Sequence, residues 1–197
     1  MASTLIVDQL QKTGGSTTAL TLPTSNASAS QYLQNDGAGA LSWATVTSET
    51  NNPYFSAYLS ADQAVADNTW AKLLCNTVVA QTGSTYDNTT NYRWTPAVAG
   101  TYFVYQQVQM AFSGADDYNL NMFLSIYLNG VETITAELWQ SAVSQNNTFT
   151  GTNTAIMVLS DTDYIESWAR MDTYGGSGIF NGSVKRPTHF MGYRMII

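Results

Sequence analysis

From Asn52 onward, polar and apolar side chains alternate with a period of two. Phe55, Ala57 and Leu59 alternate with Tyr54, Ser56 and Tyr58. Between Thr101 and Phe112, the residues Tyr102, Val104, Val108, Met110 and Phe112 share one face, and Gln107 and Gln109 take the other. Met122, Leu124, Ile126 and Leu128 alternate with Asn121, Ser125 and Asn129, and that run ends at the turn pair Asn129-Gly130. Alternation of this kind sends one set of side chains into a core and the other outward, which predicts strands. Trp70 to Cys75, Tyr164 to Met171 and His189 to Ile197 are further runs, and Ala155 to Leu159 is apolar throughout, which predicts a strand buried on both faces. No segment carries apolar residues at helical spacing. Many short strands broken by turns predict an all-β protein, an antiparallel jelly-roll sandwich.

Residues 1–50 read differently, and we divide the chain there, into segment 1–50 and domain 51–197. The segment holds short apolar pieces, Thr4 to Leu10 and Thr17 to Pro23, then Gln31-Tyr32-Leu33-Gln34 and Ala40-Leu41-Ser42-Trp43. Between the last two lies Asn35-Asp36-Gly37-Ala38-Gly39, and an Asp-Gly pair between apolar runs predicts a β-hairpin. So little apolar mass cannot fold alone; the segment either lies disordered or pairs with other chains.

Charge narrows the function. Only 11% of residues are charged, against roughly 25% in ordinary soluble domains, and the net charge is −7. No Lys or Arg lies between Arg93 and Arg170, a stretch that holds Asp116, Asp117, Glu132, Glu137, Asp161, Asp163 and Glu166. Nucleic acid needs a basic stripe, and an anionic membrane would repel this chain, so neither is an expected partner. No apolar run of roughly 18 residues predicts a helical membrane span. The start, Met1 to Asp8, lacks the basic and apolar regions of a secretory signal.

Candidate chemistry is sparse. Cys75 is the single cysteine, expected as a small buried hydrophobe. His189 is the single histidine, and a triad needs His beside a nucleophile and a carboxylate; it reads as a strand-edge residue. Gly175-Gly176-Ser177-Gly178 has no following Lys and reads as a turn rather than a phosphate cradle. Asp116-Asp117 and Asp161/Asp163 lie in loops that could offer oxygens to Ca²⁺, but without a twelve-residue calcium loop they read as solvated turn residues. No cofactor, no metal and no enzymatic activity are expected.

Residues 52–197 resemble the C1q/tumour-necrosis-factor jelly roll. Phe55 to Ser60 is similar to that family's first strand, and Trp94-Thr95-Pro96-Ala97-Val98-Ala99-Gly100-Thr101-Tyr102-Phe103-Val104 to its "P-x-x-G-x-Y-x-F" stretch. Leu128-Asn129-Gly130 matches an "L-N-G" hairpin, and Phe190-Met191-Gly192-Tyr193-Arg194-Met195 resembles its closing strand. Leu159 to Ile165 is similar to "L-x-x-G-D-x-V", with Thr162 where the family prefers Gly. The stretch from Ser3 to Asp8 and that from Gln31 to Trp43 resemble a segment of phage fibre and structural proteins, notably of marine phages. Together these resemblances imply a non-enzymatic virion protein with a homotrimeric head, held through segment 1–50 to another virion protein of capsid or tail. Assembled in the host cytoplasm and displayed on the virion surface, it would be a knob or short fibre decorating the capsid, or alternatively the receptor-binding tip of a tail fibre that adheres to host surface glycan.

Two sets of residues follow as expectations. The first and last strands of the head are apolar on both faces: Phe190 and Ile196 oppose Met191, Tyr193, Met195 and Ile197. A second apolar face needs a cover, because such patches are rare on monomers. The family resemblance implies that it meets the three-fold axis, and Tyr58, Met191 and Tyr193 are the expected axis residues. Tyr86, Tyr92, Tyr118 and Tyr174 read as loop aromatics that could stack on sugar rings as one distal cluster.

Overall fold

The computed structural model describes residues 8–10, 19–45, 51–83, 85–112, 118–139, 148–174 and 177–196. The chain divides into two compact units, Met1–Glu49 and Thr50–Ile197.

In the first unit, β1 (Gln9–Leu10) pairs antiparallel with β2 (Leu20–Thr21), and β3 (Gln31–Asn35) with β4 (Leu41–Thr45). The predicted Asp-Gly hairpin forms. Asp36 Oδ1 accepts the amides of Ala38 and Ala40 at 2.8 and 3.0 Å, and Asn35 Oδ1 accepts that of Gly37 at 2.6 Å. These bonds replace ladder bonds that the loop backbone gives up, which is how Asx residues close turns.

The second unit is a sandwich of two sheets in which every strand pairing is antiparallel. Its strands are β5 (Tyr54–Tyr58), β6 (Gln63–Val65), β7 (Ala71–Lys72), β8 (Thr77–Gln81), β9 (Tyr86–Asp87), β10 (Arg93–Trp94), β11 (Gly100–Phe112), β12 (Tyr118–Leu128), β13 (Val131–Trp139), β14 (Thr148–Leu159), β15 (Ile165–Tyr174), β16 (Gly178–Phe180) and β17 (His189–Arg194). One sheet runs β6-β16-β11-β17-β5-β8, with β14 on the other edge of β11; the second runs β13-β12-β15-β10-β9, with β7 on β15. No helix occurs among the described residues.

The alternating residues meet between the sheets as expected. Phe55, Ala57, Tyr102, Val104, Val108, Met110, Met122, Leu124, Ile126 and Phe190 are all buried in one core. Phe55 sits at its centre, with Tyr86, Trp94 and Phe190 all within 5 Å between ring centroids. Two buried amides in this core donate to backbone carbonyls: Gln106 to that of Trp168 at 2.7 Å, and Asn153 to those of Leu124 and Ile134 at 3.1 and 2.9 Å, while Gln106 Oε1 and the Tyr86 hydroxyl are buried without a partner. Asn129 and Gly130 take φ of 53° and 80° between the paired residues Leu128 and Val131. Positive φ at both turn centres matches the strand twist of a two-residue hairpin and explains the Asn-Gly pair.

Two expectations need correction. Ala155 to Leu159 is not buried on both faces: Ala155, Met157 and Leu159 are buried, while Ile156 and Val158 are 65% and 79% exposed. β14 is the edge strand of its sheet and only its inward face has a partner sheet. Ile196 does not share the core face of the last strand; β17 ends at Arg194, and Ile196 is exposed. Thr162 in place of Gly leaves the turn intact, because no residue from 160 to 163 has positive φ and Asp163 Oδ2 closes the turn on the Ser160 amide at 2.7 Å.

Candidate functional site

The candidate site is the face of β5, β17, β11 and β14 turned away from the core. Ladder register aligns its side chains in rows. Tyr54, Tyr193, Phe103 and Ile156 form one row; Ser56, Met191, Tyr105 and Thr154 the next; Tyr58, His189, Gln107 and Thr152 the third. Thr101 and Val158, then Gln109 and Thr150, extend it at either end. No Asp, Glu, Lys or Arg occurs at these positions. The Phe103 and Tyr193 rings lie 5.3 Å apart, and those of Tyr105 and His189 5.0 Å apart. The amides on this face are already engaged: Gln107 accepts from the Tyr105 hydroxyl at 2.8 Å and donates to the Pro187 carbonyl at 3.0 Å, and Gln109 donates to Thr150 Oγ1 at 3.2 Å. What remains is a neutral, aromatic and β-branched surface.

Tyr58, Met191 and Tyr193 all lie on this face and are half-buried within the single chain. Arg186, in the loop before β17, places its guanidinium 5.4 Å from the Tyr58 ring centre. Phe103, Tyr105, Ile156 and Val158 belong to the same face and were missed from sequence. Their signal was present, since Phe103 and Tyr105 alternate with the core residues Tyr102 and Val104.

The four tyrosines expected to contact glycan do not form a cluster. Tyr86 is 3% exposed, lies in β9 rather than a loop, and stacks on Phe55 at 4.8 Å. Burial, then the nearby Cys75, Asp87 and Tyr92, push its phenol well above the usual value. Tyr92 is half-buried at φ 48°. Tyr118 and Tyr174 are strand residues paired with each other. On β15, Tyr174 lies eight residues from Glu166, which pairs with Arg93 beside Tyr92. At roughly 3.3 Å per residue the two pairs are about 26 Å apart.

The remaining candidates are His189, Cys75 and the loop carboxylates. His189 is half-buried against Tyr105, and burial, then Arg186, hold its imidazole below the usual value. Its Nδ1 is buried without a hydrogen-bond partner, so nothing orients it as a base. Cys75 is fully buried, and desolvation pushes its thiol up to about 12. Among the described residues no three His, Cys, Asp or Glu side chains come together as metal ligands. Asp163 is engaged by Asn129 Nδ2 at 2.7 Å and by the Ser160 amide, which hold its carboxyl below the usual range. Asp116, Asp117, Gly175 and Gly176 lie outside the described residues.

The outward face of the second sheet differs in kind. Tyr127 stacks on Trp168 at 4.8 Å, Trp70 meets Phe123 and Tyr127 edge-on, and Arg170 lies 4.1 Å over Phe123. Lys72 pairs with Glu166 at 2.6 Å and reaches over Trp168. These rings meet one another and two cations, so this strip is covered by its own side chains. On the β5-β17-β11-β14 face rings also meet one another and Arg186 reaches Tyr58, but Ile156 and Val158 stay open.

No protein-family model matches the chain, and no curated protein matches it. Solved structures match its fold. Eiger TNF from S. frugiperda is similar over 74% of this chain and 94% of its own, with 11% identity and a TM-score of 0.52. Murine APRIL at pH 5.0 is similar over 72% of this chain and 99% of its own, with 11% identity and a TM-score of 0.50. The globular domain of zebrafish complement 1qA is similar over 73% and 97%, with 12% identity and a TM-score of 0.49. The likeness to the Eiger TNF and APRIL structures shows the fold alone: the head is an antiparallel jelly-roll sandwich of the TNF-like type.

Proposed function

We propose that this chain is a non-enzymatic structural protein of a tailed-phage particle: a homotrimeric surface knob or short fibre, held to a capsid or tail protein through residues 1–50. The observation that carries the trimer is the neutral face of β5, β17, β11 and β14, where Ile156 and Val158 stand 65% and 79% exposed beside a row of aromatic rings. A face of that size, without one charged side chain on four adjacent strands, is what a second subunit buries, since interface cores are depleted of charge and enriched in Tyr, Phe and Met. Three copies related by a closed rotation leave no such face open. The virion role rests on the resemblance of Gln31 to Trp43 to phage structural proteins, together with an N-terminal unit whose described side chains include none that is buried.

The glycan-binding tip is the weaker reading, because Tyr86 is a core residue and the four tyrosines lie at two separate places. Light scattering on the full chain tests the assembly: a mass of three chains is expected, and a monomer at micromolar concentration would refute it. Gold-labelled antibody on intact particles tests location, with label on the capsid expected and label confined to the tail favouring the fibre.

A further inference from the structure

We infer that the β3–β4 hairpins of neighbouring copies pack on one another, so that the N-terminal units of a trimer share one apolar core. The inference rests on the trimeric reading of the head. Every described side chain between Asp8 and Thr45 is at least partly exposed. Leu33 is 44% exposed and pairs with Trp43, which puts it on the hairpin face that also carries Leu41. Beside that face lies an open cleft of about 560 Å³, lined by Leu22, Pro23, Leu41 and Trp43 together with six polar residues of the same unit. The Trp43 indole donates to the Ser25 carbonyl at 2.7 Å, which fixes the ring at the rim of the cleft. A two-stranded hairpin is marginal in water by itself, and needs a second layer against its apolar face.

Charge and tethering identify the layer as another copy. Among the described residues of this unit only Asp8 and Asp36 are charged, and the Asp36 carboxylate is held in its own turn by the Ala38 and Ala40 amides. The Leu33–Trp43–Leu41 face thus offers a charged partner no complement, and meets a copy of itself without repulsion. Only six residues separate Thr45 from Pro53's neighbour Asn52. A connection of six residues reaches at most roughly 20 Å, so hairpins joined to one trimeric head meet at about millimolar effective concentration. A separate protein has to compete with that. The opposite face, with Tyr32 at 48% exposure and Ala44, stays open to the particle.

Cross-linking tests this in the full chain. Leu33→Cys adds a thiol on the packed face, and Gln34→Cys adds one on the opposite face; the buried Cys75 does not compete. Mild oxidation should join Leu33→Cys chains at least tenfold faster than Gln34→Cys chains, while light scattering confirms a trimer for both. Equal rates in trimeric protein would overturn the inference and leave the trimeric head standing. A monomeric chain would overturn both. Deuterium exchange of the unaltered trimer gives a second reading: residues 31–45 should be protected at least tenfold, and exchange at the rate of a free hairpin contradicts shared packing.

Discussion

Phe103 and Tyr193 face each other across the β11–β17 ladder with ring centroids 5.3 Å apart, on the side of the sheet that the core does not cover. On that face the pair is flanked by Tyr54 and Ile156 in the same row. Tyr193→Asp should therefore act on assembly. It brings a carboxylate per subunit into a shared apolar interface, which costs roughly 3 kcal/mol or more for each unless water follows it in. Light scattering should show monomers or aggregate. A trimer of unchanged thermal stability would remove Tyr193 from the interface.

Val158 separates assembly from folding more cleanly. At 79% exposure it contributes little to the single chain, so Val158→Asn should change the stability of an isolated head by less than about 0.5 kcal/mol. In the trimer the same change should raise the dissociation constant severalfold or more, read by sedimentation across a dilution series. Equal dissociation constants would show that this edge of the sheet stays in water.

The stretch around Val158 also shows where sequence reading reached its limit. Period-two alternation located the long strands and their core residues, because one buried face is enough to produce the pattern. It could not interpret Ala155 to Leu159, because an unbroken apolar run requires two covers and does not say whether one chain supplies both. Here the second face is left open at Ile156 and Val158. The paired faces of the first and last strands were legible, and Tyr58, Met191 and Tyr193 do share one surface; Phe103 and Tyr105 were overlooked on the strand between β17 and β14. Tyr86 failed for a different reason. β9 has only two residues, too few to show any period, and its burial comes from pairing with β10 and stacking on Phe55.

His189 should make the stability of the folded head depend on pH. Tyr58 and Gln107 flank it in its row and Tyr105 packs on its ring; burial first, then the Arg186 charge, holds its imidazole below the usual value. Its folded-state value lies below that of an unfolded histidine, roughly 6.5. Below that pH the unfolded chain binds the proton more readily than the folded one, so stability falls with pH until the folded value is passed, and then levels. The melting temperature should drop between about pH 7 and pH 5, and His189→Gln should flatten that drop. The carboxylates of Asp36 and Asp163 have lowered values and lose their contributions only under more acid conditions, which separates the two effects.

Cys75 should report global unfolding. It is fully buried and its thiol is pushed up to about 12, so almost no thiolate is present or reachable at pH 8. Iodoacetamide should label it only at the rate at which the head opens, and labelling should accelerate sharply across the denaturant midpoint. Rapid labelling of native protein would mean that the core around Leu73 and Cys75 opens locally.

Removal of residues 1–50 should uncouple the head from the particle without unfolding it. Thr50–Ile197 is a compact unit by itself, and its core includes residues from both sheets. A domain of that length buries most of the apolar surface its unfolded chain exposes, so it has no energetic need of the N-terminal unit. Those side chains, by contrast, have no described core of their own, and under the proposed function they meet partners on the virion. The truncated chain should therefore express as a soluble trimer with a melting temperature within a few degrees of the full protein, and should be missing from particles assembled in its presence. Two outcomes would count against this. Normal incorporation would move the attachment surface onto the head, and a truncated chain that is folded but monomeric would shift the trimer contacts to the N-terminal unit. Because the neutral face of β5, β17, β11 and β14 is intact in the truncation, the second outcome would also show that this face alone does not hold three copies together.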